Sequence, residues 1–132
     1  MFLDAVATHL ATENVVDGGT GWPLFESFVP STPDKVVVLT PTGGLEPDNQ
    51  GDSQLVGVVT FQSFTRGGKL KEEENAYTDA MNKAIEIFTN TNKAQIAGFT
   101  HLFALQSRPI FIGYDENRRP QFTMNFSGRY NL

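Results

Sequence analysis

One segment of this 132-residue chain has a helical pattern long enough to define an element by itself. Within KLKEEENAYTDAMNKAIEIFTN, apolar residues recur at three- and four-residue spacing and form one stripe: Ala76, Tyr77, Ala80, Met81, Ala84, Ile85 and Phe88. This spacing is typical of an amphipathic helix with one face on a core. Residues 72–74, all Glu, precede the stripe. We expect them in the first helical turn, where acids suit the helix dipole.

The segments on either side of this helix follow strand patterns instead. Residues 35–40 are rich in β-branched side chains. In residues 22–28 the side chains alternate between two faces, and a proline within the segment favours an edge strand. Residues 55–66 carry apolar side chains on both faces, which predicts a central strand that is covered on two sides or used for assembly. Residues 110–113 and 121–130 predict an antiparallel hairpin that closes the chain.

A second, shorter helix is predicted at the N-terminus. Phe2, Val6 and Leu10 lie four residues apart and mark one face within residues 2–13. The resulting order α-β-β-β-α-β-β, with segregated helices, indicates an α+β fold. We therefore expect a mostly antiparallel sheet, with the N-terminal helix and the longer amphipathic helix packed on it and a closing β-hairpin. A chain of this length is expected to form a single domain over residues 1–132.

Composition and charge narrow the function classes. The chain has no cysteine, which excludes disulfides and thiolate metal sites and fits maturation in a reducing cytosol. No apolar run approaches the roughly 20 residues of a membrane span, and the N-terminus lacks the features of a signal peptide. The net charge of −5 argues against a general nucleic-acid binder. Residues 1–65 hold eight acids and one base, whereas residues 66–132 hold seven acids and nine bases, an asymmetry that could bring unlike surfaces of neighbouring copies together.

Candidate catalytic groups are few. Asp115 and Glu116 lie together in the predicted hairpin turn, where we expect water around both, whereas an acid/base pair usually depends on burial. His9 and His101 are the only histidines, and neither has a partner at metal-ligand spacing. No nucleophile elbow and no complete phosphate-binding loop occurs. The sequence therefore predicts neither an enzyme nor a cofactor or metal site.

The loop between the second and third predicted strands is rich in acids. Glu46, Asp48 and Asp52 lie in TPTGGLEPDNQGDSQ, which lacks the residue order of an EF-hand. We therefore expect a mobile acidic loop more than a calcium site.

Four sequence blocks, in this order, resemble the tail terminator, or tail-to-head joining, proteins of long-tailed bacteriophages, often labelled minor tail or minor capsid proteins. They are TPDKVVVLTPTGGLEPD, LVGVVTFQSFTRGG, ENAYTDAMNKAIEIF and RPIFIGYDENRRPQFTMNF. The second block is similar to the family's central strand ending in an arginine, here Arg66. The last is similar to its closing hairpin, although Arg118 and Arg119 stand where a Gly-Arg pair would be expected. The resemblance covers nearly the whole chain.

The resemblance implies a structural virion protein. Its subunits would form a ring, a hexamer, that caps the tail tube, ends tail polymerisation and provides the head–tail joining surface. The implied partners are further copies of the chain, the tail tube protein and a head-completion or neck protein, while DNA passes through the lumen without specific binding and no membrane is involved. Assembly would take place in the host cytoplasm. Acidic and arginine side chains of the loops and strand ends are the candidate contacts of this assembly: Asp48, Asp52, Arg66, Asp115, Glu116, Arg118, Arg119 and Arg129.

Two alternatives stay open from the sequence. One is a neck or head-completion connector that does not stop tube growth, since a shared fold does not fix the role. The other is a small-ligand or nucleic-acid binding module, faintly suggested by arginines near the aromatic residues of the last strand.

Overall fold

The computed structural model describes residues 2–43, 47–48 and 56–131, with the side chains of residues 47, 48 and 56 left aside. Two helices and seven strands form in these residues: α1 Phe2–Thr12, β1 Leu24–Glu26, β2 Val36–Pro41, β3 Pro47–Asp48, β4 Val56–Arg66, α2 Ala76–Thr91, β5 Phe99–Ala104, β6 Ile110–Tyr114 and β7 Pro120–Asn131. A single 3₁₀ turn, Gly18–Thr20, precedes β1.

The described strands form one sheet in the order β1-β2-β4-β7-β5, with β3 beside β4 and β6 beside β7. The β1–β2 pair is parallel and every other pairing among the described residues is antiparallel. β7 is long enough to hold β6 along its first half and β5 along its second half, on the same side. The prediction of an α+β fold with a mostly antiparallel sheet is confirmed, and one parallel edge pair makes the sheet mixed.

Most predicted elements are found near their expected bounds. β1 is an edge strand and β4 lies in the middle of the sheet, as the proline content and the two apolar faces predicted. The closing hairpin is confirmed by pairing of Ile110 with Thr123 and of Tyr114 with Pro120. Between α2 and the closing turn the predicted order has one strand, whereas the structure has two, β5 and β6, separated by residues 105–109.

The start of α2 differs from the prediction. Residues 72–74 lie before the helix, because the amides of Glu72 and Glu73 both donate to the Lys69 carbonyl and form a separate turn. A Cβ atom at Gly67 would lie 2.9 Å from the Ala76 carbonyl oxygen. Gly67 therefore lets the end of β4 approach the first turn of α2 closely, and the connection is used up in turns instead of extending the helix.

The two helices cover one face of the sheet. Phe61 of β4 and Phe126 of β7 stack with ring centroids 5.1 Å apart, and Phe2 of α1 packs beside Phe61 at 6.1 Å. Leu10 of α1 and Ile87 of α2 are fully buried in the same cluster. Apolar burial of this kind contributes about 25 cal/mol per Å² of area removed from water. This layer is the core against which the sheet ends and edges are held.

The opposite face of the sheet carries neither α1 nor α2. One row of paired residues crosses it, from Val38 through Phe64 and Thr123 to Ile110. Val38 is buried, whereas Ile110 at the far edge is exposed. Among the described residues the helices cover one face of β4, and the opposite face is buried at Arg66 and exposed at Val58. Cover on two sides and use in assembly therefore both stay predictions for β4.

Candidate assembly surface

The hairpin turn at residues 115–119 is built around one carboxylate. The Arg118 amide donates to the Asp115 carbonyl at 2.9 Å, and the Asp115 amide donates to the Arg119 carbonyl at 3.1 Å. Oδ1 of Asp115 accepts the amides of Asn117 and Arg119, both at 2.9 Å. Arg118 has φ 58°, the left-handed conformation that closes a hairpin of this length and that favours glycine. The position where the resemblance leads one to expect Gly is thus the left-handed position of the turn.

Arg119 points inward from this turn. Its Nε donates to Asp115 Oδ2 at 2.8 Å, and its Nη1 donates to the Ser31 carbonyl at 2.8 Å and to Asp34 Oδ1 at 3.1 Å. The residue is only 5% exposed. The guanidinium therefore joins the hairpin turn to the loop that leads into β2.

Arg66, the last residue of β4, holds the same loop from the other side. Its Nε donates to the Asp34 carbonyl and its Nη2 to the Pro33 carbonyl, both at 2.8 Å. Arg66 is 3% exposed. We call Arg66, Arg119, Asp34 and Asp115 the arginine cluster. It fastens the end of β4, the hairpin turn and residues 31–34 together, and its hydrogen bonds lie within one chain.

The charges of the arginine cluster act on each other. Burial lowers the pKa of Arg66, and the neighbouring Arg119 charge lowers it further, while Asp115 and Asp34 oppose both effects. Burial alone would raise the pKa of Asp115, but the hydrogen bonds and positive charge of Arg119 outweigh it and hold this pKa below its ordinary value. The Asp115 carboxylate therefore holds Arg119 in place, whereas Arg66 is held by the backbone carbonyls of Pro33 and Asp34.

The sequence-predicted contact residues are distributed over several places. Arg66, Asp115 and Arg119 are brought together in the arginine cluster, while Glu116 and Arg118 are exposed at the tip of the turn. The expectation of a turn solvated throughout is corrected for Asp115 and Arg119, because their side chains satisfy each other and the loop carbonyls.

The remaining predicted contacts are elsewhere. Arg129 of β7 pairs with Val58 of β4 and with His101 of β5 on the face opposite the helices. Asp48 lies in β3, with its side chain outside the described part, and Asp52 lies outside the described residues. The roles of Asp48 and Asp52 as contact residues therefore stay predictions.

A concentration of exposed apolar side chains was not predicted from the sequence. Ten large apolar side chains are exposed among the described residues, and six of them fall in or between β5 and β6: Phe103, Leu105, Ile110, Phe111, Ile112 and Tyr114. The signal was the run IFIG, in which neighbouring residues are apolar without alternation. A half-buried edge strand would alternate. Continuous apolar character at a sheet edge indicates a surface that a partner covers.

Groups suited to catalysis are scattered. His9 Nε2 lies 2.7 Å from the Asn90 carbonyl oxygen and links α1 to α2, while His101 is exposed on β5. The part of the chain that the structure describes contains no group of three His, Asp or Glu side chains able to hold a metal ion. A groove of about 500 Å³ runs along residues 93–103. No described helix is long and apolar enough to cross a membrane.

The fold has a counterpart among solved structures. A chain from the "Virion of native gene transfer agent (GTA) particle" superposes with a TM-score of 0.64 at 17% sequence identity, over 98% of this chain and 93% of the other. No protein-family profile and no curated protein matched the sequence. The two chains therefore share an α+β fold over nearly their whole lengths, at an identity that speaks for the fold alone.

Proposed function

We propose that this chain is a structural virion protein that forms a ring on the end of a phage-like tail tube, stops tube polymerisation and offers the surface that joins the tail to the head. The observation that carries the proposal is the fold shared, end to end, with a chain of a virion particle. It agrees with the order of the four sequence blocks that resemble tail terminators. Proteins of one fold can differ in function, so surface features have to support the role as well.

The first supporting surface feature is the distribution of exposed apolar side chains. A closed ring of identical subunits uses two different patches on each subunit, which meet head to tail. Exposed apolar groups occur on both edges of this sheet, at β5 and β6 on one edge and at Phe28 and Val29 beyond β1 on the other. A ring subunit needs two separated contact patches, whereas large exposed apolar patches are rare on monomeric proteins.

The second feature is charge. Glu116 and Arg118 at the tip of the hairpin are free to reach a neighbouring subunit or the tube, and we retain both as contact residues of the ring. The acidic loop with Asp48 and Asp52 would line the lumen, where negative charge keeps transiting DNA from adhering, because adhesion depends on neutralising phosphates. Replacing both acids by Lys should slow or trap DNA ejection. Unchanged ejection kinetics would remove the lumen assignment.

The role is tested by tail length in particles made by a deletion strain, in which this reading frame has been removed. Electron microscopy of negatively stained lysates would give the length distribution of the tubes. Overlong, headless tubes are the expected result, because the missing ring is what ends polymerisation. Tubes of normal length that fail to join heads would assign the chain to the neck, and normal infectious particles would overturn both roles.

A further inference from the structure

The two outer edges of the sheet differ in how they are covered. One of them, formed by β5 and β6, also differs along its own length. Along β5, the Lys93 amide donates to the Leu102 carbonyl at 2.8 Å, and the Ala104 amide donates to Asn92 Oδ1 at 2.9 Å. The segment after α2 therefore covers the outer side of β5. Such cover is one of the ways in which proteins protect an edge strand.

The outer side of β6 has no such cover. Among the residues that the structure describes, backbone hydrogen bonds of β6 run to β7 alone, and its large side chains are between 39% and 51% exposed. Phe111 faces the helices and contacts Tyr77 at 5.1 Å, so the strand is held firmly in the sheet from its inner side. Ile112 sits at a register shift and is 51% exposed. The outer side of β6 is thus an apolar edge without a described backbone partner.

Beside the opposite edge of the sheet lies a short apolar segment without regular secondary structure, residues 28–30. Ser27 has φ 68° and donates its amide to the Leu39 carbonyl, after which the chain leaves β2. Phe28 and Val29 follow and are 58% and 50% exposed. The Phe28 ring rests on Phe25 with centroids 5.4 Å apart, so its position is fixed although most of it faces solvent.

The charges beside the two segments are opposite. Exposed Arg108 precedes β6 and exposed Arg118 follows it. Glu26 precedes Phe28 and Val29, and burial together with a hydrogen bond and charge from Asp4 raises the pKa of Glu26. A cation that approaches such a carboxyl pair stabilises its ionised form. Opposite charges therefore favour contact between the two edges over contact of either edge with itself.

We propose that the outer side of β6 in one copy of the chain packs on residues 26–30 of a second copy and pairs with the backbone of this segment. The proposal rests on the ring role given above and names the surfaces that would close the ring. Backbone pairing would supply affinity, and Phe28 and Val29 set against Ile110 and Ile112 would supply specificity. Because the two segments lie on opposite edges of one sheet, repetition of the contact proceeds head to tail and can close into a ring.

Disulfide trapping tests this contact, since the chain contains no cysteine of its own. A variant carrying both Val29→Cys and Ile112→Cys would be oxidised as purified protein and in assembled particles. A ladder of covalent multimers ending at the ring is expected on non-reducing gels. Both sites are half exposed, so neither substitution removes core packing.

Two controls decide between the possible pairings. Ile112→Cys alone should stay monomeric, and dimers from it would show that β6 pairs with β6, which overturns the proposal. Val29→Cys combined with Ile85→Cys, on an exposed position of α2, should give no ladder. Absence of multimers from the Val29–Ile112 variant in both purified protein and particles would also overturn the proposal. If multimers are absent but the deletion strain makes overlong tubes, the tail role holds and the contact does not. If the ladder forms but the tubes are normal, the contact holds and the tail role does not.

Discussion

In the closing hairpin, the burial of two neighbouring parts is the opposite of what their sequences suggest. The turn at residues 115–119 is charged, yet Asp115 and Arg119 are turned inward and hold residues 31–34 in place. The strand before it, Ile110–Tyr114, is apolar, yet its outer side is exposed. A charged cluster thus works within the chain, while an apolar strand remains for a partner. The comparison teaches that charge and apolarity report burial only after the partners of each group are known.

The largest effect is expected at the arginine cluster. Arg119→Ala removes one partner of a buried ionic network and leaves Asp115 and Asp34 without their cation, so the free energy of unfolding should fall by about 3 kcal/mol. Urea denaturation of the purified chain measures it. The matched control is Arg118→Ala at the exposed neighbouring position, which should change stability by less than about 0.5 kcal/mol. Equal losses in the two variants would contradict the division of this turn into an inner and an outer arginine.

Asp115→Asn tests the same cluster through pH. The folded-state pKa of Asp115 is lowered, so its ionised form stabilises the fold above the pKa of the unfolded chain, and this contribution disappears as pH falls through the folded-state value. The variant should lose about 2 kcal/mol at neutral pH, as for hydrogen bonds to a charged group. The difference from the parent chain should shrink in acid. A difference independent of pH would mean that the carboxylate charge is not what matters.

The exposed strand should respond in the opposite way. Ile112→Lys places a charge on the free side of β6, where it costs the monomer less than about 1 kcal/mol. Assembly should be abolished, because the charge would be buried between copies. Native mass spectrometry and thermal unfolding measure the two quantities. Ile85→Lys on α2 is the matched control and should retain both assembly and stability; loss of assembly in both variants would point to a general charge effect.

The smallest effect is expected at Glu26. Its pKa is raised in the folded chain, so the ionised form costs stability at neutral pH, and the cost is absent below the unfolded pKa of about 4.3. Glu26→Gln should therefore gain about 0.5 kcal/mol near pH 7 and lose that gain in acid. Thermal unfolding across pH, with Glu72→Gln at an exposed carboxylate as reference, measures it. Equal gains in the two variants would remove the effect of Asp4.

Much of the fold followed from periodicity. The helix α2, the central β4 and the closing hairpin were predictable because each pattern extends over enough residues to exclude the alternatives. The stripe predicted on α2 was wrong at Ile85, which is exposed, while Ile87 is buried in the core. The start of α2 was not, because it depends on how closely Gly67 lets β4 approach, a tertiary contact. Nor does any local pattern show that Asn92 and Lys93 hydrogen-bond to β5.

The candidate site was predictable to a lesser extent. The residues of the turn were identified, but pairing of Arg119 with Asp34 joins positions 85 residues apart, and no local pattern shows it. The exposure of β6 depends on which elements leave it uncovered, and an apolar run by itself is typical of a core strand. Charge asymmetry between the halves of the chain indicated unlike surfaces without placing them.

The central claim is that the exposed edge of β6 is needed to end tail growth, and tail length tests it most directly. The particles would lack the chain and be supplied with variants of it. Tubes would be measured by electron microscopy after supplying the parent chain, Ile112→Lys or Ile85→Lys. We predict normal lengths with the parent chain and Ile85→Lys, and overlong tubes with Ile112→Lys. Normal tubes with a stably folded Ile112→Lys chain would contradict the account.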